Sequence, residues 1–119
     1  MNNCIFCKII NKESPAKIVF ENDDILALVP KEEVSKGHTL LVPKNHFENI
    51  FDIDKAILEK LIAVSKDLSE RLVKENKATG INLLHASGKD AQQSVFHFHL
   101  HIVPRYENDG LDLWLREKL

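Results

Sequence analysis

The segment His97-Phe98-His99-Leu100-His101-Ile102-Val103 places a histidine at every second position and a large apolar residue in each gap. Side chains alternate across a strand, so this spacing predicts three imidazoles on one face. Phe96, Phe98, Leu100 and Ile102 would then form an apolar floor on the other. Histidines two apart on a strand start about 6.6 Å from each other, close enough for a pair to share a metal ion. His97 and His101 start about 13 Å apart, so one ion does not readily take all three. The pattern points instead to a nucleophile held between proton-handling groups. Half of the chain's six histidines fall within these five residues.

The rest of the chain sets the frame for that strand. Its 119 residues allow one domain, 1–119, with one real core. Apolar residues make up 44% and charged residues 29%, an ordinary soluble composition. A formal charge of −2 gives no basic field, so no nucleic acid polymer is expected as a partner. No apolar run reaches the length of a membrane span, so no membrane partner is expected. The beginning Met1-Asn2-Asn3-Cys4 lacks a signal-peptide pattern, and a cytoplasmic location is the default expectation.

Periodicity predicts an α+β chain with a mainly antiparallel sheet of about five strands. Residues 4–10 read as a short N-terminal helix with Ile5, Phe6, Ile9 and Ile10 apolar, and Pro15 as a break. Lys17–Glu21 and Ile25–Val29 read as strands around the turn Asn22-Asp23-Asp24, and His38–Val42 as a third, opened by Gly37 and closed by Pro43. A long helix over 55–75, capped by Asp54, carries the stripe Ile57, Leu61, Val64, Leu68 and Leu72, with Leu58 and Ile62 alongside. Gly80 would end the helical region. Ile81–His85 reads as a strand, 86–93 as a polar loop, and the histidine strand would stop at Pro104. Leu111, Leu113, Trp114 and Leu115 form a short apolar tail.

Two cysteines, Cys4 and Cys7, form a C-x-x-C pair. In a reducing compartment such a pair favours a metal half-site or a redox couple over a structural disulfide. Zinc would need two further ligands from elsewhere in the chain.

The chain resembles the histidine triad (HIT) family of nucleotide hydrolases and transferases, and its bacterial nucleoside phosphoramidase-like branch in particular. The resemblance rests on Gln93-Ser94-Val95-Phe96-His97-Phe98-His99-Leu100-His101-Ile102-Val103-Pro104-Arg105, on Ile5–Ile10 through Pro15–Glu21, and on Gly37-His38-Thr39-Leu40-Leu41-Val42-Pro43-Lys44-Asn45-His46. It implies a HIT-like fold and a nucleotide hydrolase acting on P–N or P–O–P bonds through a covalent nucleotidyl-histidine. The third histidine is present where the uridylyltransferase branch has glutamine, which favours hydrolysis. The resemblance makes His99 the nucleophile, His101 and His38 its proton relay, and Ser94 a hydrogen-bond donor to the phosphate or the leaving atom. Ile5, Phe6, Ile9 and Leu28 would line a purine base pocket, with Gln93, Ser94, His99 and His101 also touching the nucleotide. Cys4, Cys7, His46 and His97 would form a Cys₂His₂ structural zinc site, and the chain would be a homodimer. No cofactor would be required for the chemistry.

The chain departs from the family in three places. Pro30-Lys31-Glu32-Glu33 stands where many members carry Asp-Ile-x-Pro, whose aspartate holds the ribose hydroxyls. Ala86 occupies the place of an Asn or Gln, and Gln92 that of a Gly. These changes support an alternative, a catalytically weak zinc- and nucleotide-binding module on a HIT scaffold. A metal-dependent hydrolase centre would need a carboxylate behind His99 and His101, and the strand supplies none.

Overall fold

The computed structural model describes residues 3–115. In chain order it comprises α1 (Ile5–Ile10), β1 (Ile18–Glu21), β2 (Ile25–Leu28), β3 (Thr39–Pro43), α2 (Lys55–Asn76), β4 (Gly80–Leu84), a single 3₁₀ turn (Lys89–Ala91) and β5 (Leu100–Arg105). The five strands form one antiparallel sheet in the order β1-β2-β3-β5-β4. No helix among the described residues is long and apolar enough to cross a membrane.

Each face of the sheet has its own helix. The α2 stripe covers one face, where Leu61 and Leu68 meet Ile25, Ala27, Leu41, Phe98, Leu100 and Ile102. Ile57, Leu58, Val64 and Leu72 complete that layer, as their spacing predicts, while Ile62 is half exposed. The opposite face carries Leu26, Leu28, Leu40 and Val42, against which Phe6 of α1 packs. Leu40 pairs directly with His101, and directly paired residues share a face. The histidine row therefore lies on the α1 side, next to Phe6.

The Asn22 side chain makes the β1–β2 turn. Its Oδ1 accepts the Asp24 and Ile25 N–H groups at 2.9 and 2.8 Å, fixing the chain reversal without glycine.

Several boundaries differ from those the sequence predicts. β5 begins at Leu100, so His97 and His99 precede the ladder. The reason is the reach of β3, whose register with β5 runs only from Thr39↔Ile102 to Leu41↔Leu100. Upstream of it, the Phe98 N–H bonds the Phe47 carbonyl at 2.7 Å instead. Alternation survives at Phe98, Leu100 and Ile102, but Phe96 leaves the apolar floor and is 48% exposed, because the chain bends over 95–97. Pro104 does not stop the strand. It lies inside β5, beyond the point where β3 has ended, so its missing N–H deprives no β3 carbonyl. Gly80 opens β4 rather than ending α2, which stops at Lys77 in the left-handed conformation (φ 61°). Asp54 holds the N-cap position of α2 but makes no capping hydrogen bond.

Gly37 is the glycine on which the site leans. Its φ is +93°, and a Cβ there would lie 2.7 Å from Asn76 Nδ2 and 2.8 Å from Leu72 Cδ2. Glycine thus lets the loop before β3 press against the end of α2 and deliver His38 to the sheet. Gly110 also has positive φ, +76°, but a Cβ there would meet nothing within 4 Å. Both Gly→Ala changes carry the backbone penalty, and only Gly37→Ala adds a steric one. Urea unfolding should show Gly37→Ala losing about 1–3 kcal/mol more stability than Gly110→Ala.

Candidate active site

His99 is buried, with its ring edge-on to Phe6 at 5.3 Å between centroids. Its Nδ1 lies 2.8 Å from the His97 carbonyl. A carbonyl can only accept, so Nδ1 carries the proton and Nε2 keeps its lone pair. The same logic orders the flanking pair. The Val34 N–H donates to His38 Nδ1 at 3.2 Å, so neutral His38 carries its proton on Nε2. That proton is donated to His101 Nδ1 at 3.0 Å. Neutral His101 then carries its own proton on Nε2, on a ring that lines the cavity.

Burial depresses all of these imidazoles. His101 is pushed down to about 4, first by desolvation and then by the neighbouring His99, His38 and His85. His97 is likewise pushed down to about 4, with desolvation outweighing the Pro43 carbonyl that favours its charged form. His99 and His38 are lowered mainly by burial, with Glu33 partly opposing the shift at His38. The row is therefore neutral at neutral pH, the state a nucleophilic imidazole needs.

The cavity beside the row holds about 270 Å³. Its imidazoles are His38, His85, His99 and His101, and Val34, Leu84, Val103 and Leu113 form apolar walls. Among the described residues, no lysine, arginine, aspartate or glutamate lines it. Ser94 and Gln93 stand at its edge. The Gln93 amide is engaged within the loop: Nε2 donates to the Glu48 and Val95 carbonyls at 2.7 and 3.1 Å, and Oε1 accepts from the Gly88 N–H at 2.7 Å. His38, Ser94, Gln93, His99 and His101 thus meet at one cavity. The other expected pocket residues lie apart from its lining. Phe6 and Leu28 belong to the apolar cluster on the same face, Ile9 packs against that cluster, and Ile5 is exposed beside Cys4 and His46.

Sequence reasoning passed over His85, which follows β4. Its ring stacks on Phe98 at 4.2 Å between centroids, with the planes 25° apart. Its Nδ1–H donates to the His99 carbonyl at 3.0 Å. A lone histidine in the polar run His85-Ala86-Ser87-Gly88 has no periodic signal that could mark it.

Cys4, Cys7, His46 and His97 come together at the N-terminus of α1, with their ligand atoms all within 4.8 Å of one another. Tetrahedral zinc, with S at about 2.3 Å and N at about 2.0–2.1 Å, requires donor separations of roughly 3.3–3.8 Å. Cys4 Sγ is 3.3 Å and Cys7 Sγ 3.5 Å from His97 Nδ1, and Cys7 Sγ is 3.4 Å from His46 Nδ1. His97 Nε2–H donates to the Pro43 carbonyl at 2.8 Å, which leaves Nδ1 unprotonated and aimed at the sulfurs. The donor set fits a metal ion in number, type and spacing.

Comparison with known proteins identifies the family and the fold. The HIT domain family profile matches residues 11–108. A HIT-like protein of Borreliella burgdorferi is 42% identical over 121 residues, spanning 100% of this chain and 87% of that protein. Adenylylsulfatase HINT3 of Arabidopsis thaliana is 36% identical over 118 residues, and the match covers 99% of this chain but only 59% of that protein. Among solved structures, a HIT family protein of Bacillus anthracis superposes with a TM-score of 0.91 at 40% identity, covering 98% of this chain and 83% of the other. A zinc-bound histidine triad family protein of Mycobacterium smegmatis gives 0.89 at 32% identity, covering 93% and 81%.

The depressed His101 has a consequence for folding. Between about pH 6.5 and pH 4 the unfolded chain binds a proton at this residue that the folded chain does not, so stability falls as pH drops through that window. Thermal unfolding from neutral to acid pH should show a smaller acid-induced drop in midpoint for His101→Gln than for the wild type.

Proposed function

Because the chain belongs to the histidine triad (HIT) family, we propose that it hydrolyses nucleoside monophosphate conjugates, with a P–N or P–O–P bond at the α-phosphorus, through a nucleotidyl-histidine. The observation that carries this reading is the His99 Nδ1–H bond to the His97 carbonyl, which frees Nε2 for attack. Nε2 forms a bond to phosphorus as the bond to the leaving group breaks with its electron pair. The leaving atom takes up one proton from solvent water, oriented by the His101 Nε2–H that the His38 contact holds in place. Water then attacks phosphorus, returns one proton to solvent, and displaces His99 Nε2 as the P–N bond to the ring breaks. The imidazoles end as they began.

With no cationic side chain among the described lining residues, stabilisation of the phosphoryl oxygens falls to N–H and O–H dipoles, including the Ser94 hydroxyl. The adenylylsulfatase among the relatives supports chemistry at an adenylyl group. Phe6, Ile9 and Leu28, on the face shared with His99, would receive a purine, and Ile5 would border it. A homodimer joined through α2 and the edge strand β4 is consistent with the exposed Leu83 and Val73.

Cys4, Cys7, His46 and His97 would hold zinc. When bound, zinc cross-links α1 to the start of the histidine row and takes no part in the cleft. Elemental analysis should find one zinc per chain, absent in Cys7→Ala. That variant should lose thermal stability before it loses turnover per folded molecule.

An adenosine phosphoramidate mixed with excess enzyme should give a stoichiometric burst and a trapped covalent adduct. His99→Ala should abolish the adduct and lower turnover by at least about 10³-fold. Turnover unaltered by that change would overturn the mechanism, and purine nucleotide binding without turnover in the wild type would assign the chain to the binding-module reading.

A further inference from the structure

We propose that His85 is a positioning residue for the nucleophile His99, and that it acts by replacing a missing rung of the sheet. The proposal rests on the hydrolase reading for its kinetic consequence but not for its structural one.

The β4–β5 register ends at Leu84↔His101. Continued by two residues, it would set Ala86 opposite His99, and the Ala86 backbone would hold the His99 carbonyl. β4 stops short of this, because the chain leaves the sheet to build the loop that lines the cavity with Ala86, Ala91, Gln92, Gln93 and Ser94. The His99 carbonyl would lose its ladder partner just where the backbone must be most fixed. The His85 side chain supplies the donor instead, with Nδ1–H at 3.0 Å.

Two further contacts fix this ring. Its Nε2 accepts from the Ser87 hydroxyl at 2.5 Å, and Ser87 Oγ in turn accepts the Ile50 N–H at 2.9 Å. That chain of donors permits one tautomer of neutral His85, the one with its proton on Nδ1. Stacking on buried Phe98 sets the ring plane. The nucleophile is thus gripped at two points: its ring by the His97 carbonyl, and its backbone by His85. The first grip selects the tautomer, and the second holds the peptide plane from which the ring projects.

Three variants of the full chain separate donor from packing. His85→Phe keeps an aromatic ring against Phe98 and removes the donor. His85→Asn keeps a side-chain N–H and gives up the ring. Ser87→Ala leaves the ring and its Nδ1–H but removes the hydroxyl that holds Nε2. With an adenosine phosphoramidate as substrate, His85→Phe should lower kcat by about five- to tenfold, the scale of one hydrogen bond, with KM within about twofold of the wild type. His85→Asn should recover part of that loss, and Ser87→Ala should show a smaller decrease in kcat.

The Leu100 amide shares its peptide plane with the His99 carbonyl, so its NMR signal reports the same contact without turnover. It should shift and broaden in His85→Phe and stay near its wild-type position in His85→Asn. An unchanged Leu100 signal in His85→Phe overturns the proposal whatever the kinetics show. So does a kcat within twofold of the wild type in an active enzyme. A wild type that turns over no nucleotide conjugate, but whose Leu100 signal responds as stated, fails the hydrolase reading and retains the positioning role.

Discussion

One residue, His97, ties the donor set of Cys4, Cys7 and His46 to the His99 imidazole. Its ring Nδ1 faces Cys4 and Cys7, its Nε2–H is held by the Pro43 carbonyl, and its own carbonyl takes the Nδ1–H of His99. Ring and carbonyl sit on one rigid residue that is fully buried. Anything that rotates His97 therefore disturbs the donor set and the His99 tautomer together. The two are adjacent because the C-x-x-C pair lies at the start of α1, and α1 lies on the histidine face of the sheet.

The sheet order explains how distant segments meet. β5 lies between β3 and β4, so His38 before β3 and His85 after β4 both reach the row from its flanks. His38 arrives from one side and contacts the third histidine. His85 arrives from the other and holds the backbone of the second. Core packing on the α2 face, through Phe98, Leu100 and Ile102, anchors the same stretch from below. His99 is thereby restrained from three directions by elements that are packed for reasons of their own.

Much of this was legible in the chain. Period-two alternation over 98–102 marked the buried floor, the stripe from Ile57 to Leu72 marked α2, and Asn22-Asp23-Asp24 marked the hairpin turn. The Cys4, Cys7, His46 and His97 set also assembles as the family resemblance implied. What escaped was fixed by partners rather than by local pattern. The start of β5 depends on how far β3 extends. Pro104 fits inside a strand because its neighbour has already ended. His85 acquires its contacts only when the 85–93 loop folds back over Phe98 and toward Ile50. Phe6 and Leu28 show a different difficulty, since an apolar residue beside a cleft and one within a core look the same in a sequence. The cavity walls, drawn from Val34, Leu84, Val103 and Leu113, come from separate segments with no shared motif.

Among the described residues that wall carries no formal charge, and for the proposed function this would set the physics of capture. Anion-binding clefts rich in lysine and arginine gather ligands over the Debye length, about 8 Å at physiological salt, and lose that advantage as salt rises. A cleft of neutral rings and alkyl groups exerts no such pull. Under the proposed function it would engage a phosphate only at van der Waals range, where mobile ions do not intervene. Discrimination among the proposed phosphate esters would then rest on shape and on the direction of a few dipoles, and the number of charges on the ligand would count for little.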